Sequence, residues 1–86
     1  MFKIELSKPA AKTLKKIYKS DKNLYYNFMH AFKDIANDPS LGKLLHGKLK
    51  GLSSYRIGSY RIIYETYYQK LLIIILDLGH RKDIYR

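Results

Sequence analysis

The sequence contains no cysteine. That absence excludes a disulfide framework, thiolate catalysis and any cysteine-based zinc site, and it fits a reducing cytoplasm. Acidic residues are scarce too: 7 Asp and Glu stand against 17 Lys and Arg, a formal net charge of +10. Long apolar runs are missing. The longest, Leu71 to Leu76, is far short of a membrane span, so no membrane partner is expected. Met1 to Leu6 alternates where a signal peptide would carry an apolar core. His30, His46 and His80 lie far apart with no ligand spacing, so neither a metal nor another cofactor is expected. Repeats, linkers and low-complexity segments are absent.

What remains is a short, apolar, basic chain. Its 86 residues allow one domain, residues 1–86. A chain of this length buries only about 60–65% of its unfolded surface, so helices must pack directly on a sheet. Hydrophobic residues make up 47%, with nine Tyr and three Phe, which is too apolar for disorder. The charge points to a polyanionic partner. The cations are spread along the chain, unlike those of a lipid-binding helix. In the second half Lys43, Lys48, Lys50, Arg56, Arg61, Arg81, Lys82 and Arg86 are interleaved with Tyr55, Tyr60 and Tyr85. Guanidinium groups pair with phosphates and aromatic faces stack on bases, so the mixture suits single-stranded RNA. A solvated charged face has the same composition.

Periodicity gives the order β-α-α-β-β-β. Residues 2–6 alternate as a strand. Ser7 is placed to cap a helix whose first turn holds Pro9 and whose stripe is Ala10, Leu14 and Ile17. Ser20-Asp21 breaks and recaps the chain. A second helix carries Leu24, Phe28, Ala31, Phe32 and Ile35 and stops at Asn37-Asp38-Pro39. Residues 40–53 read as a loop, followed by strands over 54–57, 60–67 and 71–78. Gly58-Ser59 and Tyr68-Gln69-Lys70 form the turns. Leu71 to Leu76 reads as a central strand covered on both faces, ended by Gly79, with His80 leaving the sheet. The expected fold is a small α+β domain, a helical hairpin on an antiparallel sheet.

Conventional catalytic sets are missing. The segment Lys43 to Lys48 lacks the frame of a phosphate-binding P-loop, and no serine has the setting of an activated elbow. Glu65 and Asp77 fall where they would face each other on adjacent strands, each with a basic partner. Arg56 and Arg61 flank the Gly58-Ser59 turn and Arg81 follows the last strand, so the three can converge on one edge. Arginine is a poor general base but holds phosphate and stabilises charge in a phosphorane-like transition state. His80 and Tyr85 are nearby candidates for proton handling, and Tyr85 equally suits stacking.

Leu49-Lys50-Gly51, Tyr55-Arg56-Ile57-Gly58, Tyr60-Arg61-Ile62-Ile63-Tyr64 and Gly79-His80-Arg81-Lys82-Asp83-Ile84-Tyr85-Arg86 together resemble the RelE/ParE superfamily of type II toxin–antitoxin toxins. The tail leans to the RelE branch. The resemblance implies a cytoplasmic, metal-independent endoribonuclease that cuts translated mRNA on the ribosome, with the RNA 2′-hydroxyl as nucleophile. It also implies a cognate antitoxin, expected to be acidic and to fold on binding, and contact with operator DNA only through that antitoxin. By position, Arg61 matches the family arginine that grips the scissile phosphate. Arg81 matches the one at the leaving oxygen, and Tyr85 the C-terminal tyrosine that stacks or orients the 2′-hydroxyl. Arg56 occupies a basic position before the turn, and His80 is a common variant suited to acid–base work. Lys43, Lys48, Lys50, Lys82 and Arg86 are expected to contact RNA or ribosome. Ser54 departs from the pattern, since many relatives carry a basic residue there, and a lysine at 54 is expected to raise cleavage. The sister readings are a ParE-like inhibitor of DNA gyrase and a non-catalytic antitoxin-binding module.

Overall fold

The computed structural model describes residues 1–80. Its elements follow from local chemistry. Strand β1 (Lys3–Leu6) ends at Ser7, whose Oγ accepts from the Ala10 amide at 3.2 Å and opens helix α1 (Lys8–Ser20). Asp21 makes the hairpin sharp by serving both helices. Its amide donates to the Ile17 carbonyl at 2.8 Å, and its carboxylate accepts from Leu24 at 3.0 Å to start α2 (Lys22–Asn37). Asp38 then closes α2, and Pro39 prevents its continuation.

Past a single 3-10 turn at Pro39–Leu41, the chain forms a two-residue strand, β2 (Lys43–Leu44), inside what reads in sequence as loop. Strands β3 (Ser53–Ile57), β4 (Tyr60–Tyr67) and β5 (Leu72–His80) complete a five-stranded sheet in the order β1-β5-β4-β3-β2. The sheet is mixed. β3 to β5 form the expected antiparallel meander, β2 extends it antiparallel to β3, and β1 joins β5 in parallel, Ile4 opposite Ile73 and Leu6 opposite Ile75. Only a tertiary contact brings residues this far apart in sequence into one ladder.

The helices cover one face of the sheet. Phe28, Ile35, Ile62, Tyr64, Ile73 and Ile75 are the largest fully buried side chains and form the core beneath the hairpin. Each such burial contributes about 1.5–3 kcal/mol. The expectation of cover on both faces of the last strand fails. Ile73 and Ile75 are buried, but Leu72, Ile74 and Leu76 on the other side are only half-buried because no helix among the described residues lies over them. The strand also begins at Leu72, after Leu71 turns through a left-handed φ of 50°, and it does not stop at Gly79: His80 is still paired, with Tyr60.

A bulge breaks the β4–β5 ladder. Ile63 pairs with Asp77 and Tyr64 with Ile75, so Leu76 is the extra residue. The Ser7 hydroxyl donates to the Leu76 carbonyl at 2.7 Å, and the Asp77 carboxylate accepts from the Leu78 amide at 2.8 Å. The pairing of Glu65 with Asp77 is therefore corrected. Glu65 faces Ile74 and accepts from the Tyr67 hydroxyl at 2.7 Å, so among the described residues each carboxylate is held without a lysine or arginine.

Candidate active site on the open face of the sheet

The Gly58-Ser59 turn joins β3 to β4 with Gly58 at φ 56°, a value open to glycine at little cost. Ile57 and Tyr60 close the hairpin, so the next pair out is Arg56 with Arg61. In a two-residue hairpin that pair is of the non-hydrogen-bonded kind, with Cα atoms about 4.5 Å apart and side chains close together. Tyr60 and Ile62 pack on the core, so alternation sends Arg56 and Arg61 to the open face.

Like charges directly opposite one another oppose pairing. Here local bonds hold them in place. Arg56 Nε donates to the Gly58 carbonyl at 2.9 Å, and Arg61 Nη1 donates to the Ser54 hydroxyl at 3.3 Å. Arg56 is exposed, Arg61 is half-buried, and Ser54 beneath it is buried. Arg56 is held towards the turn and Arg61 towards Ser54, so the two guanidinium groups give this face a fixed positive charge that a phosphate would relieve.

Two rows of residues cross this face. One runs Arg56, Arg61, Gly79 and the other Lys43, Ser54, Ile63, Asp77, each neighbour an in-register partner. Lys43 therefore stands opposite Ser54, one strand away from the position where a basic residue is missing. Sequence spacing hid this, because β2 is too short to leave a periodic signal. Lys48 and Lys50 are exposed in and after a second 3-10 turn, Gly47–Leu49, without pairing into the sheet.

His80 is not brought to the arginines. It pairs with Tyr60, its ring meets that ring edge-on at 5.6 Å, and Tyr60 in turn packs on Phe28 at 5.9 Å. These contacts put His80 on the helix side of the sheet, because β5 continues past Gly79 and alternation takes the next side chain through. Arg81, Lys82, Tyr85 and Arg86 lie outside the described residues. No group of three or more potential metal ligands occurs among the described residues.

Two tyrosine hydroxyls on β4 have raised pKa values. Burial raises that of Tyr64, which donates to the Pro39 carbonyl at 2.6 Å and accepts from the Gly42 amide at 2.9 Å. The hydrogen bond to Glu65 raises that of Tyr67. On the opposite edge of the fold an apolar groove of about 610 Å³ runs between β1 and α2, lined by Phe2, Ile4, Leu6, Tyr25, Met29 and Phe32 with Lys33 at its margin. No helix among the described residues is long and apolar enough to cross a membrane.

A helical hairpin on one face of a five-stranded mixed sheet is the architecture of the small RelE/YoeB/ParE-fold toxins. The TM-score is 0.82 to the crystal structure of the toxin–antitoxin complex RelBE2 from Mycobacterium tuberculosis, at 27% identity over 93% of this chain and 98% of that one. It is 0.85 to the YoeB/ParE toxin from Agrobacterium tumefaciens, where 13% identity over 93% and 99% of the chains shows the fold alone. Toxin RelG of M. tuberculosis is 40% identical over 57 residues, 65% of this chain and 66% of RelG, just under two thirds of that relative. Residues 4–85 match the family described as the ParE toxin of type II toxin–antitoxin systems, and the chain belongs to that family.

Proposed function

We propose that this toxin is a ribosome-dependent endoribonuclease that cleaves translated mRNA and is neutralised by a cognate antitoxin. The observation that carries the reading is the Arg56–Arg61 pair, fixed by Gly58 and Ser54 on a face that no helix among the described residues covers. Two fixed arginines on one face support binding of a scissile phosphate and stabilisation of the extra charge that develops when a 2′-oxygen attacks it. Lys43 on the same face extends the positive surface along an RNA strand. In this reading Arg81 assists the leaving oxygen and Tyr85 stacks on a base or orients the 2′-hydroxyl. The upstream product carries a 2′,3′-cyclic phosphate or a 3′-phosphate.

The antitoxin is an acidic segment that folds on the toxin. Its apolar side chains occupy the groove beside β1, and its carboxylates meet the lysines around it, Lys33 among them. The relatives solved as toxin–antitoxin complexes support a cognate antitoxin as partner.

The match to a ParE toxin family supports a second reading, inhibition of DNA gyrase. One experiment separates the two. The toxin is induced without antitoxin, mRNA ends are mapped by primer extension, and DNA breaks are scored in parallel. Cuts inside coding sequence with arrested translation are expected. Intact mRNA with gyrase-linked DNA damage would replace the nuclease reading with the second.

A further inference from the structure

The bulge in β5 has a consequence for proton transfer on the arginine face. Ile73 and Ile75 point into the core, and unbroken alternation would bury Asp77 beside them. The extra residue Leu76 reverses the phase. Asp77 is exposed on the open face and Leu78 takes the inward position. The bulge is braced from both sides, by the Ser7 hydroxyl on the Leu76 carbonyl and by Asp77 Oδ1 on the Leu78 amide. One carboxylate oxygen is thereby anchored, on a residue that is exposed as a whole.

Asp77 pairs with Ile63 while Arg61 pairs with Gly79, which makes Asp77 and Arg61 diagonal neighbours, roughly 7–8 Å apart by the usual sheet geometry. Gly79 places no side chain opposite Arg61. Among the described residues, the other charged groups on this face are Arg56 on β3, Lys43 on β2, Glu65 on β4, and Lys3 and Glu5 on β1. Of the other two carboxylates, Glu65 is engaged by the Tyr67 hydroxyl and Glu5 lies 3.9 Å from Lys3, and both pair with Ile74, further down the ladder.

Resting on the endoribonuclease reading, we propose that Asp77 is the catalytic proton acceptor for the RNA 2′-hydroxyl, turned towards the arginine pair by the bulge at Leu76. With the scissile phosphate on Arg61 and Arg56, the 2′-oxygen bonds to phosphorus as its proton passes to the Asp77 carboxylate. The bond from phosphorus to the 5′-oxygen breaks, and that oxygen takes a proton from water. The Asp77 carboxylic acid then returns its proton to the hydroxide left behind. The net change is a 2′,3′-cyclic phosphate and a 5′-hydroxyl, with nothing consumed.

The test is single-turnover mRNA cleavage on programmed ribosomes across a pH series. Asp77→Asn keeps the oxygen that accepts from Leu78 and removes the base. It is expected to cut ~10²-fold more slowly with ribosome binding unchanged, and to lose the acid limb of the pH–rate profile. Asp77→Glu keeps a carboxylate and should keep that limb, and Glu65→Gln should cut at the wild-type rate. A wild-type rate and acid limb in Asp77→Asn would overturn the proposal, as would a slowed variant that retains the limb, which would assign Asp77 to holding the bulge. If Asp77→Asn does not fold, loss of the limb in a folded, slower Asp77→Glu overturns the proposal and its retention supports it. A wild-type protein that cuts no mRNA on ribosomes is a separate outcome, and it overturns the nuclease reading and this proposal together.

Discussion

Replacing Tyr64 by Phe removes one oxygen and keeps the buried ring. That oxygen joins the end of α2 to the sheet, donating to Pro39 at 2.6 Å and accepting from Gly42 at 2.9 Å. Pro39 is buried, so its carbonyl loses a partner that water cannot easily replace, at about 1–2 kcal/mol. Gly42 is half-buried and its amide can turn to solvent, at roughly 0.5–1 kcal/mol. The expected loss is about 1.5–3 kcal/mol, or ~6–24 °C in Tm for a domain of this size. Urea unfolding with an unchanged slope measures it. Gly42→Ala should cost at least as much, because an added Cβ would collide with the Tyr64 hydroxyl and ring.

The same hydroxyl gives the test a pH arm. Burial raises the Tyr64 pKa, so the folded protein holds this proton more tightly than the unfolded chain, where tyrosine titrates at about 10. The resulting stability is complete below about pH 10 and is lost as pH rises through the folded value. Wild type should therefore lose stability faster than Tyr64→Phe on going alkaline, and the gap between them should narrow. A loss below ~0.5 kcal/mol at neutral pH, with no narrowing, would refute the view that this hydroxyl fastens the loop.

Arg56→Gln relieves a like-charge pair, so its Tm should equal or exceed that of wild type while cleavage falls; a lower Tm by calorimetry would show that the bond to Gly58 outweighs the repulsion. Ser54→Lys, expected from family resemblance alone to raise cleavage, is now expected to lower both stability and rate, because Ser54 is buried and holds Arg61; a gain in single-turnover rate would contradict that. Arg81→Ala should slow the chemical step by ~10²–10³ with ribosome binding kept, measured in the same assay. Leu6→Asp, at an exposed position in the groove beside β1, should weaken antitoxin binding by calorimetry without changing cleavage, and added salt should slow association of the wild-type pair more than it speeds dissociation.

Some features of this protein are legible one residue after another. Ser7, Pro9, Asp21 and Asp38 punctuate the helices because capping is a contact between near neighbours, and Gly58-Ser59 fixes the hairpin register because a two-residue turn leaves one pairing. That register is why the opposition of Arg56 and Arg61 was within reach of the sequence. The features that went unread depend on distant chain. The parallel pairing of β1 with β5, the strand at Lys43–Leu44 that brings a lysine opposite Ser54, and the absence, among the described residues, of a helix over Leu72 and Ile74 come from how layers stack. His80 shows the same limit at one position. Its residue type suits acid–base work, but alternation past Gly79 carries it to the helix side against Tyr60. For Asp77 the sequence did hold a sign, a carboxylate at a position that alternation would bury. The bulge that answers it is braced by Ser7 from the other end of the chain, so only the folded sheet decides which way that carboxylate faces.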